Sequence, residues 1–159
     1  MSQNNLGAKL LNKIKMKRLQ IYNSKVDFYE IAMTEHGEPV LVGILDSDED
    51  NLIIQLLYTD TIKFYRSTLL GCFTGDQMVI EDIKVLNRPS YSPKFRKPYS
   101  RGYGTLLMSR ALEAAKQRKI KKVTGDMVSF NEKQRNRQIN FYTKCGFIID
   151  SQNQLYKQL

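Results

Sequence analysis

The segment Arg101-Gly102-Tyr103-Gly104-Thr105-Leu106-Leu107-Met108 predicts a tight turn that opens a helix. Its two glycines, one residue apart, let the backbone turn sharply and approach a ligand closely because they carry no Cβ. Beyond them, leucines and alanines recur at steps of three and four residues as far as Arg118, which is typical of a helix with one apolar face. The apolar positions are Leu107, Met108, Ala111, Leu112 and Ala115.

The start of this helix is a candidate anion site. The N–H groups of a first helical turn have no partner within the helix and lie at the positive end of its dipole, so they suit a phosphate. Arg101 adds a formal positive charge there. A glycine pair before a helix is equally consistent with an ordinary turn. A P-loop is excluded because the sequence Gly-Lys-Ser/Thr is absent from this segment. A dinucleotide-binding motif is excluded because Leu107 stands where its third glycine belongs.

Strands on both sides of this helix predict a parallel crossover unit. Residues 77–86 form the clearest strand, and residues 122–129 read as the next. Alternation in the first strand predicts one shared face for its odd-numbered residues. These are Val79, Glu81, Ile83 and Val85. Between strand and helix lies a long loop, 87–100, with three prolines and an aromatic, basic composition, which favours a functional role for it.

The rest of the chain is predicted to be mostly strands. Residues 26–33 and 40–45 form a probable hairpin around Gly37, and residues 51–70 favour strands over a helix beginning at Ser47. The segment before residue 26 fits either a short helix or a basic strand. Asn131 with Gln134 predicts the capped start of a second helix, which runs to Lys144 and stops at Gly146. Two short strands, 147–150 and 154–157, complete the pattern as a second hairpin.

Length and composition fit one domain, residues 1–159. The two cysteines, Cys72 and Cys145, have neither metal-site nor disulfide spacing, and the only histidine, His36, lies in a predicted turn. Metal sites built from histidines and hydrolases that need a catalytic histidine are therefore disfavoured. No signal peptide or membrane span is indicated, so we expect a cytoplasmic protein that does not engage a membrane.

The net charge is +9 and the pI is near 9.5, which favours an anionic partner. Residues 88–104 carry five basic side chains and no acid. Nucleic acid, a polyphosphate cofactor and an acidic protein surface all fit this pattern, and so does an ordinary solvated face.

Three segments, in this order, resemble the GNAT superfamily of acyl-CoA-dependent N-acetyltransferases. They are the strand from Met78, the turn Arg101-Gly102-Tyr103-Gly104, and the segment Asn140-Phe141-Tyr142-Thr143-Lys144-Cys145-Gly146-Phe147. The resemblance covers residues 78–150, about half of the chain. It implies a mixed α/β fold (α+β) with a central, mostly antiparallel sheet, a strand-helix-strand parallel unit and flanking helices.

The resemblance also implies that acetyl-CoA (coenzyme A) is the cofactor. In that family the glycine turn binds the diphosphate through backbone N–H groups, and the strand before it pairs with the pantetheine arm. Carried over to this sequence, the cofactor-binding residues are Ile83, Lys84, Val85, Tyr99, Ser100, Arg101, Gly102, Tyr103, Gly104 and Thr105. Tyr99 stands where the family has Gln or Arg, which removes one polar contact and leaves the glycines in place.

By the same resemblance, Tyr142 stands near the thioester sulfur, and its phenol is our candidate general acid. A packing role under the second helix is the alternative. Glu81 and Asp82 are the candidate bases, although either could be a plain solvent carboxylate, and an amine already present as its free base needs none. In the loop 89–99, Lys94, Arg96 and Lys97 suit the 3′-phosphate of coenzyme A or an acidic acceptor such as tRNA.

The leading hypothesis is an N-acetyltransferase that moves an acetyl group to a primary amine by direct attack in a ternary complex. A protein, a small molecule or an aminoacyl-tRNA is left open as acceptor, and a monomer or a homodimer as the assembly. The alternative is a catalytically silent module of the same fold that binds nucleic acid or regulates a partner.

Overall fold

A computed structural model describes Lys9 and residues 29–59, 64–85 and 102–159. Its elements, in chain order, are β1 (Tyr29–Met33), β2 (Pro39–Asp48), β3 (Asn51–Thr59), β4 (Phe64–Thr74), β5 (Gln77–Lys84), α1 (Tyr103–Gln117), β6 (Lys122–Asp126), α2 (Glu132–Lys144), β7 (Ile148–Ile149) and β8 (Gln154–Gln158). The described strands form a single sheet of order β1-β2-β3-β4-β5-β6-β8-β7.

Strands β1 to β5 run as an antiparallel meander. Strand β5 then pairs parallel with β6, and α1 makes the connection. Strand β8 lies between β6 and β7 and is antiparallel to both. The mixed, mostly antiparallel sheet with one strand-helix-strand parallel unit is thus confirmed. Both hairpins are present, and the described residues of the segment 51–70 form strands as predicted. The helix beginning at Ser47 is excluded because β2 continues to Asp48 and β3 begins at Asn51.

The apolar face predicted for α1 is the face that the structure buries. Leu107, Met108, Ala111 and Ala115 are all inaccessible, as is Tyr103 at the start of the helix. This face packs on β3 and β4, where every second residue of β3 is buried. Core positions in the middle of the sheet include Leu52, Ile54, Leu56, Leu69 and Met78. The apolar layer between helix and sheet therefore holds α1 in place on the sheet, including its first turn, where Tyr103 is buried.

A β-bulge interrupts the regular alternation of β5. Gly71 of β4 lies opposite Ile80, whereas its neighbour Leu70 lies opposite Asp82, so Glu81 is an extra residue without an opposite partner. A bulge of this kind bends the strand and increases its twist. The bend falls between the part of β5 that pairs with both β4 and β6 and the part that pairs with β4 alone.

The bulge makes one expectation from the sequence wrong, namely the shared face of Val79, Glu81, Ile83 and Val85. Ile83 lies opposite Leu69, which is on the helix-covered side of the sheet. Ile83 therefore shares a face with Met78 and Ile80, not with Val79. The extra residue moves every later side chain of β5 to the opposite face of the sheet. A prediction from strict alternation cannot include such an insertion.

Strands β5 and β6 separate beyond the bulge. Their parallel pairing runs from Gln77 opposite Lys122 to Ile80 opposite Gly125 and ends there, although β5 continues to Lys84 in contact with β4. A gap consequently opens between the two strands at the end where α1 begins.

Helix α2 has the N-terminal cap that the sequence predicts. Asn131 is extended, and its side-chain oxygen accepts a hydrogen bond from the Gln134 N–H at 2.8 Å. The Gln134 side-chain oxygen in turn accepts a hydrogen bond from the N–H of Phe130 (2.9 Å), one residue earlier than a capping box requires. The helix ends at Lys144, and Gly146, two residues later, has the left-handed φ of +82° that terminates it.

Two segments discussed above lie outside the described residues: the chain before residue 29, apart from Lys9, and the basic, aromatic loop 87–100. Within the part that the structure covers, no helix is long and apolar enough to cross a membrane.

Replacing the cap residue should destabilise the domain. We expect Asn131→Ala to lower the free energy of unfolding by about 0.5–2 kcal/mol, because the Gln134 N–H loses its acceptor. Asn131→Asp keeps that acceptor and should retain nearly all of the stability. Urea unfolding followed by circular dichroism compares the two variants, and equal midpoints for wild type and Asn131→Ala would contradict the capping assignment.

Candidate functional site

A cleft of about 520 Å³ lies where the start of α1, the end of β5 and one face of α2 meet. The α1 side is formed by residues 102–105, the β5 side by Ile83 and Val85, and the α2 side by residues that include Arg137, Gln138, Phe141 and Tyr142. Glu35 and Lys144 lie at its border. Its β5 side lies beyond Ile80, the residue at which the pairing of β5 with β6 ends.

Gly102 is required by both its conformation and its surroundings. Its φ is +83°, and its backbone carbonyl accepts the first helical hydrogen bond of α1, from Leu106 at 3.0 Å. A Cβ at this position would lie 2.9 Å from Cγ of Glu35, in the turn between β1 and β2. Any larger residue would therefore strain the backbone and push that turn away.

Gly104 brings three walls of the cleft together. A Cβ here would approach the Phe141 ring to 3.1 Å and Val85 Cγ2 to 3.7 Å. Helix α1, helix α2 and the continuation of β5 thus converge on one backbone position. The absence of a side chain keeps the first-turn N–H groups of α1 close to the space between the walls.

The β1–β2 turn is fastened to both helices by acidic side chains. The Tyr103 hydroxyl donates to Glu38 Oε1 at 2.6 Å, and Lys144 Nζ donates to both carboxylate oxygens of Glu35, at 3.0 and 3.2 Å. The Glu35–Lys144 pair is largely exposed, so its contribution to stability is about 0–1 kcal/mol. Its effect is local: it places one charge of each sign at the border of the cleft.

The Tyr142 ring is buried, with 8% of its surface exposed, and it packs edge-on against Phe141 and Phe147 with centroid distances of 5.0 and 5.8 Å. Burial raises the pKa of the phenol to about 12, and the Cys145 thiolate that forms at alkaline pH and the Asp82 carboxylate raise it further. The phenol is therefore protonated throughout the neutral range. It can donate a hydrogen bond, or transfer a proton, to a group bound in the cleft.

The two candidate bases differ in their surroundings. Glu81, the bulge residue, is exposed and accepts a hydrogen bond from the Cys72 thiol; burial first and the Glu81 carboxylate second raise the pKa of that thiol. Asp82 is also exposed, but its charge acts on the Tyr142 phenol. Neither carboxylate lines the cleft in this structure.

Most of the residues implied by the resemblance meet in this cleft. The residues brought together are Ile83, Val85, Gly102, Tyr103, Gly104, Thr105 and Tyr142. Lys84 is exposed on β5 opposite Thr68, outside the lining. Tyr99, Ser100 and Arg101, together with the loop 89–99, lie outside the described residues.

Several lining residues were not predicted from the sequence. Arg137, Gln138 and Phe141 share the face of α2 that carries Tyr142, and their spacing of three and four residues was a usable signal. Glu35 had no such signal, since it reaches the cleft from a turn 67 residues before Gly102 only through the packing of the sheet.

His36 lies in the same turn, half exposed, with Nε2 3.8 Å from Glu35. Within residues 29–59, 64–85 and 102–159, no group of three or more His, Cys, Asp or Glu side chains is arranged to hold a metal ion.

Comparison with known proteins supports the same family. Residues 92–147 match the model of the acetyltransferase (GNAT) family. An uncharacterized protein of Bacillus subtilis, YocC, is 27% identical over 123 residues, which is 75% of this chain and 66% of that protein. This chain therefore spans slightly less than two thirds of the length of that relative.

Two solved structures show the fold. The PaiA N-acetyltransferase of Thermoplasma acidophilum in complex with coenzyme A aligns with a TM-score of 0.50 at 15% identity, covering 69% of this chain and 62% of that one. A cAMP-binding acyltransferase of Mycobacterium smegmatis aligns with a TM-score of 0.57 at 10% identity, covering 93% and 51%. Together with the family match, they confirm the resemblance to the GNAT superfamily and the GNAT-like fold.

The raised pKa of Tyr142 can be measured directly. We expect the difference in alkaline ultraviolet titration between wild type and Tyr142→Phe to show one phenol that ionises near pH 12 rather than 10. Because the pKa is higher in the folded than in the unfolded protein, the stability linked to this proton is fully present below pH 10 and declines as the pH rises through 12. Stopped-flow mixing keeps the protein folded during the reading; a difference titrating near pH 10 would contradict the assignment.

Proposed function

We propose that this protein is an acyl-CoA-dependent N-acyltransferase, which moves an acetyl group from acetyl-CoA to a primary amine by direct attack in a ternary complex. One observation carries the proposal: a glycine-opened helix start, an unpaired strand edge and a buried, protonated phenol border a single cleft. The family match over residues 92–147 supports the same reaction class.

The start of α1 is the proposed diphosphate site. Gly102, Tyr103, Gly104 and Thr105 border the cleft, and the first turn contains no acidic residue that would repel an anion. Backbone N–H groups at this end of the helix suit a diphosphate through their unpaired donors and the helix dipole. Tyr99, Ser100 and Arg101, immediately before the turn, complete the proposed site.

The edge of β5 beyond the bulge is the proposed site for the pantetheine arm. Since β6 no longer pairs with β5 after Ile80, the backbone groups of residues 83–85 on that side are open to an extended ligand. An arm that carries amide groups can replace the missing strand by hydrogen bonding to the backbone of Ile83 and Val85, with Lys84 between them.

The residues then divide the chemistry between them. Acetyl-CoA supplies an acetyl group activated as a thioester. Transfer forms a C–N bond and breaks the C–S bond, while the nitrogen loses one proton and the sulfur gains one. Tyr142 is the proposed donor of the proton to sulfur, because its phenol holds a proton at neutral pH and lies in the cleft wall.

Either carboxylate after Ile80 is a candidate to take the proton from the amine, through water. The surroundings favour Asp82 over Glu81, because Asp82 acts electrostatically on Tyr142 whereas Glu81 is hydrogen-bonded to Cys72. For the acceptor itself, a net charge of +9 favours an anionic or polymeric amine, such as a protein or an aminoacyl-tRNA, over a small polycation.

A carboxylate placed in the first turn of α1 should separate cofactor binding from folding. We expect Thr105→Glu to stabilise the free protein by about 0.3–1 kcal/mol through the helix dipole, while weakening acetyl-CoA binding at least about tenfold by repelling the diphosphate. Thr105→Gln has nearly the same shape without the charge and serves as the matched control. Urea unfolding measures the first effect, and the rise in melting temperature with acetyl-CoA measures the second.

Wild type should show that rise at millimolar acetyl-CoA. If wild type shows none, the proposed use of acetyl-CoA fails. If Thr105→Glu retains the wild-type rise, the diphosphate site is in the wrong place. Gly102 is unsuitable for this comparison because the β1–β2 turn packs directly against it.

Removal of the phenolic hydroxyl should affect turnover and spare binding. We expect Tyr142→Phe to bind acetyl-CoA as wild type does and to lose about 10²–10⁴-fold in kcat, the usual contribution of a general acid. Thiol release from acetyl-CoA, screened first with a set of amines, measures it. An unchanged kcat in Tyr142→Phe would remove Tyr142 from this role. If wild type releases no thiol with any amine and is retained on RNA in a salt-dependent way, the catalytically silent alternative is favoured instead.

A further inference from the structure

A run of basic residues begins in the last turn of α1 and continues into β6. Five of the seven residues from 116 to 122 are basic, namely Lys116, Arg118, Lys119, Lys121 and Lys122. Four of them are exposed, and Lys122 is half-buried. Because α1 begins at the cleft and is 15 residues long, its other end lies roughly 22 Å away. This basic run, residues 116–122, is therefore a surface separate from the cleft.

Lys119 has a backbone conformation that suits glycine. Helix α1 ends in a Schellman motif, in which the N–H of Ile120 donates to the Ala115 carbonyl at 3.0 Å. In the second bond of the motif, the N–H of Lys119 donates to the Lys116 carbonyl at 2.9 Å. The motif needs a left-handed residue directly after the cap, and Lys119 occupies that position with a φ of +57°. Glycine adopts this conformation without the steric cost that a Cβ adds.

No contact within residues 29–59, 64–85 and 102–159 offsets that cost. The Lys119 side chain is exposed, and it forms neither an ion pair nor a hydrogen bond with these residues. Lys116 and Lys122 also have no ionic partner among them, and Lys121 has only Asp76, at 3.8 Å in an exposed pair. A residue held in an unfavourable conformation without a local benefit is a reason to look for a function.

The dipole of α1 explains only part of the basic run. A positive charge in the last turn of a helix is favourable, and Lys116 is such a residue. This effect falls off within that turn, whereas Lys121 and Lys122 follow the end of the helix. The charges beyond the helix therefore need another explanation.

The composition of the basic run favours a phosphate backbone as its partner. Protein interfaces are depleted in lysine and enriched in aromatic side chains, whereas lysine and arginine are usual contacts of nucleic-acid phosphates. A membrane-binding surface would add apolar side chains to the charges. The exposed large apolar side chains of the described residues all lie outside residues 116–122.

We propose that the basic run binds the phosphate backbone of a nucleic acid, with Lys116, Lys119 and Lys122 as its phosphate contacts. The inference does not depend on the proposed function, because the start of α1 and the cleft are left free. Contacts of this kind neutralise charge without reading base edges. Binding is therefore insensitive to sequence and is weakened strongly by salt.

Fluorescence anisotropy of a short labelled RNA duplex, and of the DNA duplex with the same sequence, tests the proposal over a series of salt concentrations. We expect Lys119→Gln to lower the slope of log Kd against log salt concentration by about 1, the value for one lost phosphate contact. The triple variant Lys116→Gln/Lys119→Gln/Lys122→Gln should lower it by about 3. The duplex that wild type binds more tightly identifies the kind of nucleic acid.

Lys119→Gly separates the charge of this residue from its conformation. It loses the same charge as Lys119→Gln and, in addition, the Cβ. We expect the two variants to bind equally weakly, and Lys119→Gly to have a Tm about 2–4 °C above that of Lys119→Gln. Weaker binding by a more stable variant cannot result from unfolding. An equal Tm for the two variants would contradict the cost assigned to Lys119.

Lys133→Gln is the matched control, because Lys133 is an exposed lysine of α2 outside the basic run. It lowers the net charge by the same amount as Lys119→Gln, and we expect it to leave the slope unchanged. The same loss in both variants would trace the binding to net charge and overturn the inference.

Three further results would overturn it. In the first, wild type binds neither duplex, even at low salt. In the second, coenzyme A displaces the duplex, which would place the bound phosphates in the cleft. In the third, vesicles containing phosphatidylglycerol, or poly-glutamate, bind more tightly than either duplex, which would identify a membrane or an acidic protein as the partner. Failure of wild type to bind acetyl-CoA concerns the proposed function alone and leaves the duplex measurements unaffected.

Discussion

The separation of β5 from β6 after Ile80 and Gly125 is the constraint on which the rest of the site depends. A sheet normally satisfies its backbone groups strand by strand, and a gap in its middle exposes donors and acceptors that a closed sheet would pair. Here the extra residue Glu81 bends β5, while β6 turns toward β8. The gap is thus produced by the geometry of the backbone, and the side chains around it only shape its walls.

The helix start and the gap are held in register by close contacts at glycine. Gly104 lets α1 approach Phe141 of α2 and Val85 beyond β5, and Gly102 lets the β1–β2 turn approach α1. Through the Glu38–Tyr103 and Glu35–Lys144 contacts, the first hairpin of the sheet is tied to the two helices that flank the cleft. A segment that carries no recognisable motif therefore contributes directly to the shape of the site.

The sequence was most informative where the physics is local. The helical period of residues 103–117, the Asn131 cap and the glycine turn depend on neighbours within a few positions, and the structure has all three where they were predicted. The faces of β5 were assigned wrongly because a bulge changes parity without changing composition. Glu35 was missed for a different reason, since its place beside Gly102 results from the folding of the whole sheet.

Gln138 shows the same division within a single helix. Its position on the face of Tyr142 follows from spacing alone, whereas its orientation depends on a carbonyl of the loop before the helix. Only the assembled structure shows that its buried oxygen has no donor among the residues that the structure describes. A sequence pattern predicts which face of a helix or strand carries a side chain. Whether a polar atom of that side chain has a hydrogen-bond partner can be seen only when its neighbours in the fold are known.

The order of the last three strands has a consequence for the way the chain is made. Strand β8 follows β7 in sequence but lies between β7 and β6, so β7 can join the sheet only after β8 has been synthesised. Until then α2 has no complete surface on this side to rest on. A nascent chain that already carries the glycine turn and the phenol would thus lack part of the sheet beside α2, and the cleft would be completed only when residues 154–158 insert.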